Sequence, residues 1–499
     1  MLEYSSLSAI QSALLNGEIT CRALVEHYLS QIEKTRHLNA WVEVWPDEAL
    51  AQADALDVSI AGFQAQGDSP AAKMGRLFGA VVSLKDNICY AGHQVTAASK
   101  ILEGFTSLYS ATAVERMLAE DVIIIGRTNC DQFGMGSSNE NSVYGPVHNA
   151  IDPERVSGGS SGGAAVALQT GACLVALGSD TGGSIRQPAA FCGLWGLKPT
   201  YGRISRHGLI AYGSSFDQIG FLANNPEDIA RFLEVTAGPD EYDSTAVPIT
   251  EYGMRNTEYS GDTGRNAVDR APETVQAVKI AYFPEALESE GMDTGVRAVT
   301  LTFMENLRAA GHVVEPVSFD LLDFIIPTYY VLTTAEASGN LSRYDGIRFG
   351  YRSPNAGNLE ETYFRSRTEG FSDEVKRRIL LGTFVLSSGY YDAYYGKAQQ
   401  VRRLIQERTL DILRNYDFIL MPVTPSVAWR FGEKSDDPVA MYLADIFTVQ
   451  ANLAGVPAMA IPAGRHPENG MPVGVQLMAG LWKEADLLAF GKMLKLQLV

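Results

Sequence analysis

Three short strings in this chain of 499 residues hold side chains that could act on an amide. The first is Gly178-Ser-Asp-Thr-Gly-Gly-Ser184-Ile-Arg-Gln-Pro-Ala189. It follows the apolar run Cys173–Leu177, which reads as a buried strand from its length and flanks. Its glycines free the backbone just before Ser184, so consecutive N–H groups can point into one small volume. A developing oxyanion needs donors arranged in that way, and Ser184 beside them is a candidate nucleophile. The second string is Ser157-Gly-Gly-Ser160-Ser-Gly-Gly163, which leads into the helix-like Ala164–Thr170. The third is Val81-Val-Ser-Leu-Lys85-Asp-Asn87, with a lysine at the end of an apolar strand pattern. Lys85 lies 75 positions before Ser160, and Ser160 lies 24 before Ser184. Together the three can form a proton relay.

In order and spacing these strings resemble the amidase signature family. Within that family, further phrases are similar to the glutamine-hydrolysing subunits of tRNA-dependent amidotransferases. They include Gly126-Arg-Thr-Asn129, Ser215-Phe-Asp-Gln-Ile-Gly220, Glu374-Val-Lys-Arg-Arg-Ile379 and Asn452-Leu-Ala-Gly-Val-Pro457, and the likeness runs from about residue 5 to the C-terminus. The resemblance implies that Ser160, held by a cis peptide bond, passes a proton between Ser184 and Lys85. Ser161 could take the relay instead, but the first serine of the pair matches the family pattern. No histidine occurs in the three strings, so the base must be another group, and the resemblance implies Lys85. It can act as base only when neutral, well below its ordinary value of ~10.4, and burial lowers a lysine in this way. The N–H groups of Thr181, Gly182, Gly183 and Ser184 are expected to form the oxyanion hole, with Asp180 organising the loop and Arg186 anchoring it.

The resemblance also places glutamine binding on Arg378 and Asp445, with Tyr329 completing the pocket. A guanidinium suits an α-carboxylate, and a carboxylate suits an α-ammonium. Attack on glutamine would give a glutamyl-Ser184 ester and ammonia. The implied complex is a heterotrimer with subunits B and C. The partner binds tRNA, uses ATP and Mg2+ to activate Glu-tRNA(Gln) and receives the ammonia, so this chain itself binds no cofactor.

Composition fits that division of labour. The formal charge is −18, with 46% apolar residues, whereas chains that grip nucleic acid carry a basic face. Five cysteines without CxxC spacing suit reduced thiols in a cytoplasm. The seven histidines form no HxxxH or HExxH pattern, so no metal site is visible. There is no basic-then-apolar leader and no apolar run of the ~18 residues that would suggest a membrane span. Gly158-Gly-Ser160-Ser-Gly162 also spells the elbow of an α/β-hydrolase, for which His466 could supply the histidine, but that reading leaves the 180–189 block unexplained. A non-catalytic assembly subunit is disfavoured by the intact Lys85, Ser160 and Ser184. The remaining alternative is a free-standing amidase acting on small amides.

These side chains require an α/β scaffold. Short apolar strands (Gly79–Leu84, Val122–Ile125, Leu174–Leu177) alternate with helices (Thr112–Glu120, Gly163–Thr170), which argues for a largely parallel sheet. The resemblance implies the amidase-signature fold, a large mixed twisted sheet covered by helices on both faces. One domain spans 1–499, with a signature core at about 75–220 and a C-terminal cap bearing the substrate pocket at about 280–499. Ser6 and Thr20 read as N-caps of helices within residues 5–35, and Ala49–Gln66 and Asn225–Thr236 read as further helices. Residues 250–275 read as a polar surface loop before the strand Val278–Phe283. Helices are expected at 292–310, 372–387 and 389–415, then strands at Phe418–Met421 and Ala458–Ile461.

Overall fold

The computed structural model describes residues 6–67, 69–247, 277–289, 291–434 and 438–498; the polar stretch 250–275 lies outside them. Eleven strands form one sheet: β1 (Trp41–Val44), β2 (Val81–Lys85), β3 (Ile123–Thr128), β4 (Val175–Asp180), β5 (Trp195–Lys198), β6 (Gln218–Ala223), β7 (Lys279–Tyr282), β8 (Val313–Pro316), β9 (Phe418–Pro422), β10 (Ala458–Arg465) and β11 (Pro472–Ala479). Their order is β1-β3-β2-β4-β6-β5-β10-β11-β9-β7-β8. The expected parallel pairing occurs only around β2 and around β7. From β4 across to β9 every pairing is antiparallel. The sheet is therefore mixed.

Side chains alternate between the two faces of a strand, and the core follows that alternation. Val175 and Leu177 of β4, with Phe418 and Leu420 of β9, enter one cluster together with Ile10, Leu24, Phe232 and Phe303 from four helices. Ala176 faces the opposite side, against the helices Gly162–Gln169 and Arg186–Cys192. On that side, too, Ile419 and Met421 meet the helices Leu322–Asn340 and Lys397–Leu413. Helices thus cover both faces.

Local signals account for the helix starts. The side chains of Ser6, Thr20, Asn225 and Ser372 accept hydrogen bonds from Ala9, Ala23, Asp228 and Val375 N–H groups, each satisfying a donor at a helix N-terminus. The helix expected at 389–415 is broken: a π turn spans Asp392–Gly396 and the α-helix begins at Lys397. Helix Leu322–Asn340 contains Pro327, the residue that hides it from a propensity reading.

β2 and β4 run parallel, with Val82 opposite Val175 and Leu84 opposite Leu177. Their C-terminal ends therefore emerge at the same edge of the sheet, the place where open α/β sheets hold their ligands.

Candidate active site

Lys85 closes β2. Val82 and Leu84 point into the first cluster, so Lys85 points to the other face, toward the N-terminus of helix Gly162–Gln169. There its Nζ donates to Ser160 Oγ at 2.7 Å, Ser161 Oγ at 2.9 Å and Ser179 Oγ at 2.9 Å. Asp86 faces away; its carboxylate pairs with Arg127 and accepts from Thr96 and Ala98 N–H groups. Fully buried and with no carboxylate in contact, Lys85 falls from 10.5 to about 8, burial being the dominant cause.

The Gly159–Ser160 peptide bond is cis. Lys85 is the one side-chain hydrogen-bond partner of Ser160 Oγ among the described residues, which leaves the Ser160 proton free to be passed on. Ser161 differs: its hydroxyl donates to Ser179 O at 3.2 Å, and its N–H donates to Ser184 O at 3.1 Å. Ser161 is thus tied into the scaffold, and it holds the Ser184 backbone beside the Ser160 segment.

The loop after β4 presents Ser184, 8% exposed, whose Oγ has no hydrogen-bond partner within the protein among the described residues. Asp180 shapes this loop, accepting from Gly183 N–H at 2.8 Å and Ile185 N–H at 3.2 Å. Burial alone would raise the Asp180 carboxyl, but the Arg186 guanidinium, bonded to both its oxygens at 3.1 Å, holds it at about 2. Arg186 also donates to Thr448 O, Gln476 Oε1 and Asn452 Oδ1. It fastens the loop to the C-terminal part of the chain.

One expectation changes here. The Gly183 N–H is committed to Asp180 and is not open to an oxyanion; its place in the loop is instead steric, at φ +128° with Thr448 where a side chain would go. Among the described residues, the N–H groups of Thr181, Gly182 and Ser184 have no acceptor in the protein. Thr181 contributes its hydroxyl to Asp217 at 2.6 Å, which steadies the start of the loop. A Cβ on Gly182 would overlap the Tyr329 hydroxyl, so the phenol of Tyr329 roofs the same loop.

The substrate-pocket residues also converge. Arg378 is buried despite its Lys376-Arg-Arg string. Its Nε donates to Glu374 Oε1 and its Nη1 to Tyr212 Oη, both at 2.8 Å, and the rings of Tyr212, Tyr330 and Tyr442 lie 5.3–5.6 Å from its guanidinium carbon. Asp445 accepts from Ser137 Oγ at 2.7 Å and Tyr330 Oη at 3.4 Å, both on Oδ2. Burial pushes its carboxyl up to about 7. Among the described residues Arg378 Nη2 and Asp445 Oδ1 have no hydrogen-bond partner, so one cationic donor and one carboxylate oxygen remain for a ligand carrying both charges.

Several supporting residues escaped the sequence reading. Ser179 holds Lys85 and is itself held by Asn87 Nδ2 at 2.9 Å. Asp131, buried and pushed up to about 6 by that burial, accepts from Asn139 and Asn141 N–H groups while its own N–H donates to Ser160 O at 3.2 Å. A Cβ on Gly159 would overlap its carboxylate, which explains that glycine. Ser137, Tyr212 and Tyr330 complete the pocket. A hydrogen-bond partner tens of residues away leaves no periodic signal; only the Gly-rich phrases mark the neighbourhood. His466 is engaged elsewhere, with Nε2 on Asp293 Oδ1 at 2.8 Å and Nδ1 accepting from Glu468 N–H, so it cannot serve the hydrolase reading. Among the described residues no cluster of His, Cys, Asp or Glu is placed to hold a metal ion.

Comparison with known proteins gives the same neighbourhood. The amidase family model matches residues 23–488. The A subunit of the glutamyl-tRNA(Gln) amidotransferase from Chlorobium luteolum is 48% identical over 493 residues, covering 98% of this chain and 97% of that one. Its counterpart from Chlorobaculum tepidum is 46% identical over 496 residues, covering 99% and 98%. Among solved structures, the A subunit of the Thermotoga maritima glutamyl-tRNA(Gln) amidotransferase matches with a TM-score of 0.73 at 35% identity, over 94% of this chain and 90% of that one. A peptide amidase from Stenotrophomonas maltophilia matches at 0.76 and 26% identity, over 98% and 96%. The chain belongs to the amidase family, and within it groups with the A subunits of glutamyl-tRNA(Gln) amidotransferases.

Proposed function

We propose that this chain is the glutaminase subunit of a tRNA-dependent amidotransferase, with Lys85, Ser160 and Ser184 as its catalytic residues. The observation that carries the reading is the buried Lys85 amine, lowered to about 8 and 2.7 Å from Ser160 Oγ. At pH 7 a lysine at 10.5 is neutral in about one molecule in 3,000, whereas one at about 8 is neutral in about one in ten. A neutral amine accepts the Ser160 proton as Ser160 accepts that of Ser184, and Ser184 Oγ attacks the side-chain amide carbon of glutamine. The resulting oxyanion meets the N–H groups of Thr181, Gly182 and Ser184, where each such donor lowers the barrier by about 3 kcal/mol. The relay then returns its proton to the leaving nitrogen, the C–N bond breaks, and ammonia departs. Water, activated by the same relay, clears the glutamyl-Ser184 ester as glutamate. Arg378 takes the glutamine α-carboxylate and Asp445 its α-ammonium, with Tyr329 closing the pocket beside Gly182.

The ammonia serves a partner. Subunits B and C complete a heterotrimer in the cytoplasm, in which the partner binds ATP, Mg2+ and Glu-tRNA(Gln) and forms Gln-tRNA(Gln). The test is ammonia release from glutamine by the isolated chain, then by the chain with its co-purified partners and Glu-tRNA(Gln). A rate that rises in the complex supports the reading. Full turnover alone, on simple amides and with no partner recovered, points to a free-standing amidase.

A further inference from the structure

One buried carboxylate lies between the oxyanion loop and the substrate pocket and has no part in the relay. Asp217, just before β6 and 4% exposed, accepts three hydrogen bonds. Its Oδ1 takes the Thr181 hydroxyl at 2.6 Å and the Gly213 N–H at 3.1 Å, and its Oδ2 takes the Tyr212 N–H at 2.8 Å. Burial raises its carboxyl to about 6, so at pH 8 it is the charged acceptor that all three donors require. Thr181 stands at the start of the oxyanion loop. Tyr212 reaches the other way, its Oη accepting from Arg378 Nη1 at 2.8 Å. Asp217 and Tyr212 are thus the two links between Thr181 and Arg378.

The segment that carries them is braced along its length. Asn340 Nδ2 donates to Tyr212 O at 3.1 Å and to Ser214 Oγ at 3.0 Å. Ser215 N–H donates to Glu336 Oε2, and Arg402 Nη2 to Ser215 O, both at 2.9 Å. These contacts tie it to the helices Leu322–Asn340 and Lys397–Leu413, so a displacement of Tyr212 is passed to Asp217 rather than absorbed.

We propose that Asp217 is a positioning residue that couples recognition of the glutamine α-carboxylate at Arg378 to the setting of the Thr181 N–H in the oxyanion hole. The coupling rests on the glutaminase function proposed above. A ligand carboxylate on Arg378 steadies Tyr212, Tyr212 steadies Asp217, and Asp217 steadies the Thr181 side chain and the backbone that carries its N–H. An amide without the α-carboxylate leaves Arg378 free to shift and meets a looser oxyanion site. Contact with a remote part of the substrate thereby lowers the barrier at the reacting carbon, and such coupling works equally in both directions.

The test uses the full chain with its co-purified partners, comparing wild type with Asp217→Asn, Thr181→Val, Tyr212→Phe and the Thr181→Val/Tyr212→Phe double variant. The asparagine amide offers a donor where the carboxylate offers an acceptor, so either the Tyr212 or the Gly213 N–H loses its partner. Valine keeps the shape of Thr181 and removes only the hydroxyl. At pH 8, kcat is taken per active site titrated with a glutamine-like diazoketone, which excludes any misfolded fraction. Glutamine Kd is measured by calorimetry with each change placed in Ser184→Ala. Asp217→Asn should lower kcat at least about tenfold, part of the roughly 10²–10³-fold that one lost oxyanion donor costs, and raise Kd at least about fivefold. Thr181→Val should lower kcat, and Tyr212→Phe should raise Kd. In kcat/KM the double variant should lose less than the product of the single losses, because both act through Asp217. Unchanged per-site kcat or Kd in Asp217→Asn, no loss in either single variant, or a cycle whose losses multiply overturns the coupling alone. The cycle decides even where Asp217→Asn fails to fold. A wild-type chain that does not hydrolyse glutamine, and that as Ser184→Ala does not bind it, overturns the glutaminase function as well.

Discussion

The kcat of glutamine hydrolysis should follow the protonation of Lys85, because the relay starts only from the neutral amine. With the group at about 8, about half the enzyme is competent at pH 8, about a tenth at pH 7 and about a hundredth at pH 6, so log kcat should rise with unit slope and level off above pH 8. Asp445, held near 7, titrates in the same range but acts on binding; kcat at saturating glutamine isolates Lys85, and kcat/KM carries both. Lys85→Arg keeps the positive charge but cannot lose a proton, and should lower kcat by about 10³-fold. Lys85→Met separates catalysis from folding. The folded-state value lies below the unfolded one, so burying the charged amine costs stability, fully below about pH 8 and vanishing as pH rises past 10.5. At pH 7 that cost is about 3 kcal/mol. Its removal offsets three lost hydrogen bonds at about 1 kcal/mol each, so the melting temperature should move by only a few degrees while activity disappears. Stopped assays of ammonia across pH 6–9 with calorimetry decide the matter. A wild-type kcat flat across that range, or Lys85→Arg retaining more than a tenth of it, refutes Lys85 as the base.

The other expectations concern the loop and the pocket. Ser160→Ala and Ser184→Ala should each abolish most activity, and the double variant should be no worse than Ser184→Ala, since residues of one relay act as a unit. Asp180→Asn should leave the buried Arg186 without its counter-charge and destabilise the fold by about 3–5 kcal/mol, measured by denaturant unfolding. Asp180 is depressed to about 2, so its contribution is present above about pH 4 and lost as pH falls through 2. Gly182→Ala should collide with Tyr329 and lower kcat far more than it raises KM. Asp445→Asn should raise KM for glutamine and remove the rise in KM that wild type shows below about pH 7, as the Asp445 carboxylate takes up a proton.

Helix starts were legible because a single side chain sets them: Ser6 and Thr20 cap as their spacing suggests, and the helices expected from residues 225 and 372 are capped by Asn225 and Ser372. Strands were legible where an apolar run sat between turn residues, as at β2, β3 and β4. Those hidden from view are short or carry breakers. β1, β5 and β8 span four residues each, and β11 opens on Pro472 and contains Gly474, so their identity comes from neighbours across the sheet rather than from their own pattern. The antiparallel middle of the sheet was missed for the same reason, since pairing direction is set by distant chain segments. In the candidate site, the Gly/Ser strings and the lysine announced themselves. The use of the Gly183 N–H by Asp180 did not, because that rotamer is fixed by Arg186 and, through it, by Asn452, Thr448 and Gln476 far along the chain.

The central claim is a covalent glutamyl ester on Ser184. Rapid acid quench of the enzyme with glutamine, followed by peptide mass spectrometry, should find a glutamyl adduct on the peptide bearing Ser184. Ser184→Ala should carry none, and Ser160→Ala should form the adduct much more slowly. An adduct on another residue, or an undiminished ammonia burst from folded Ser184→Ala, would contradict the account.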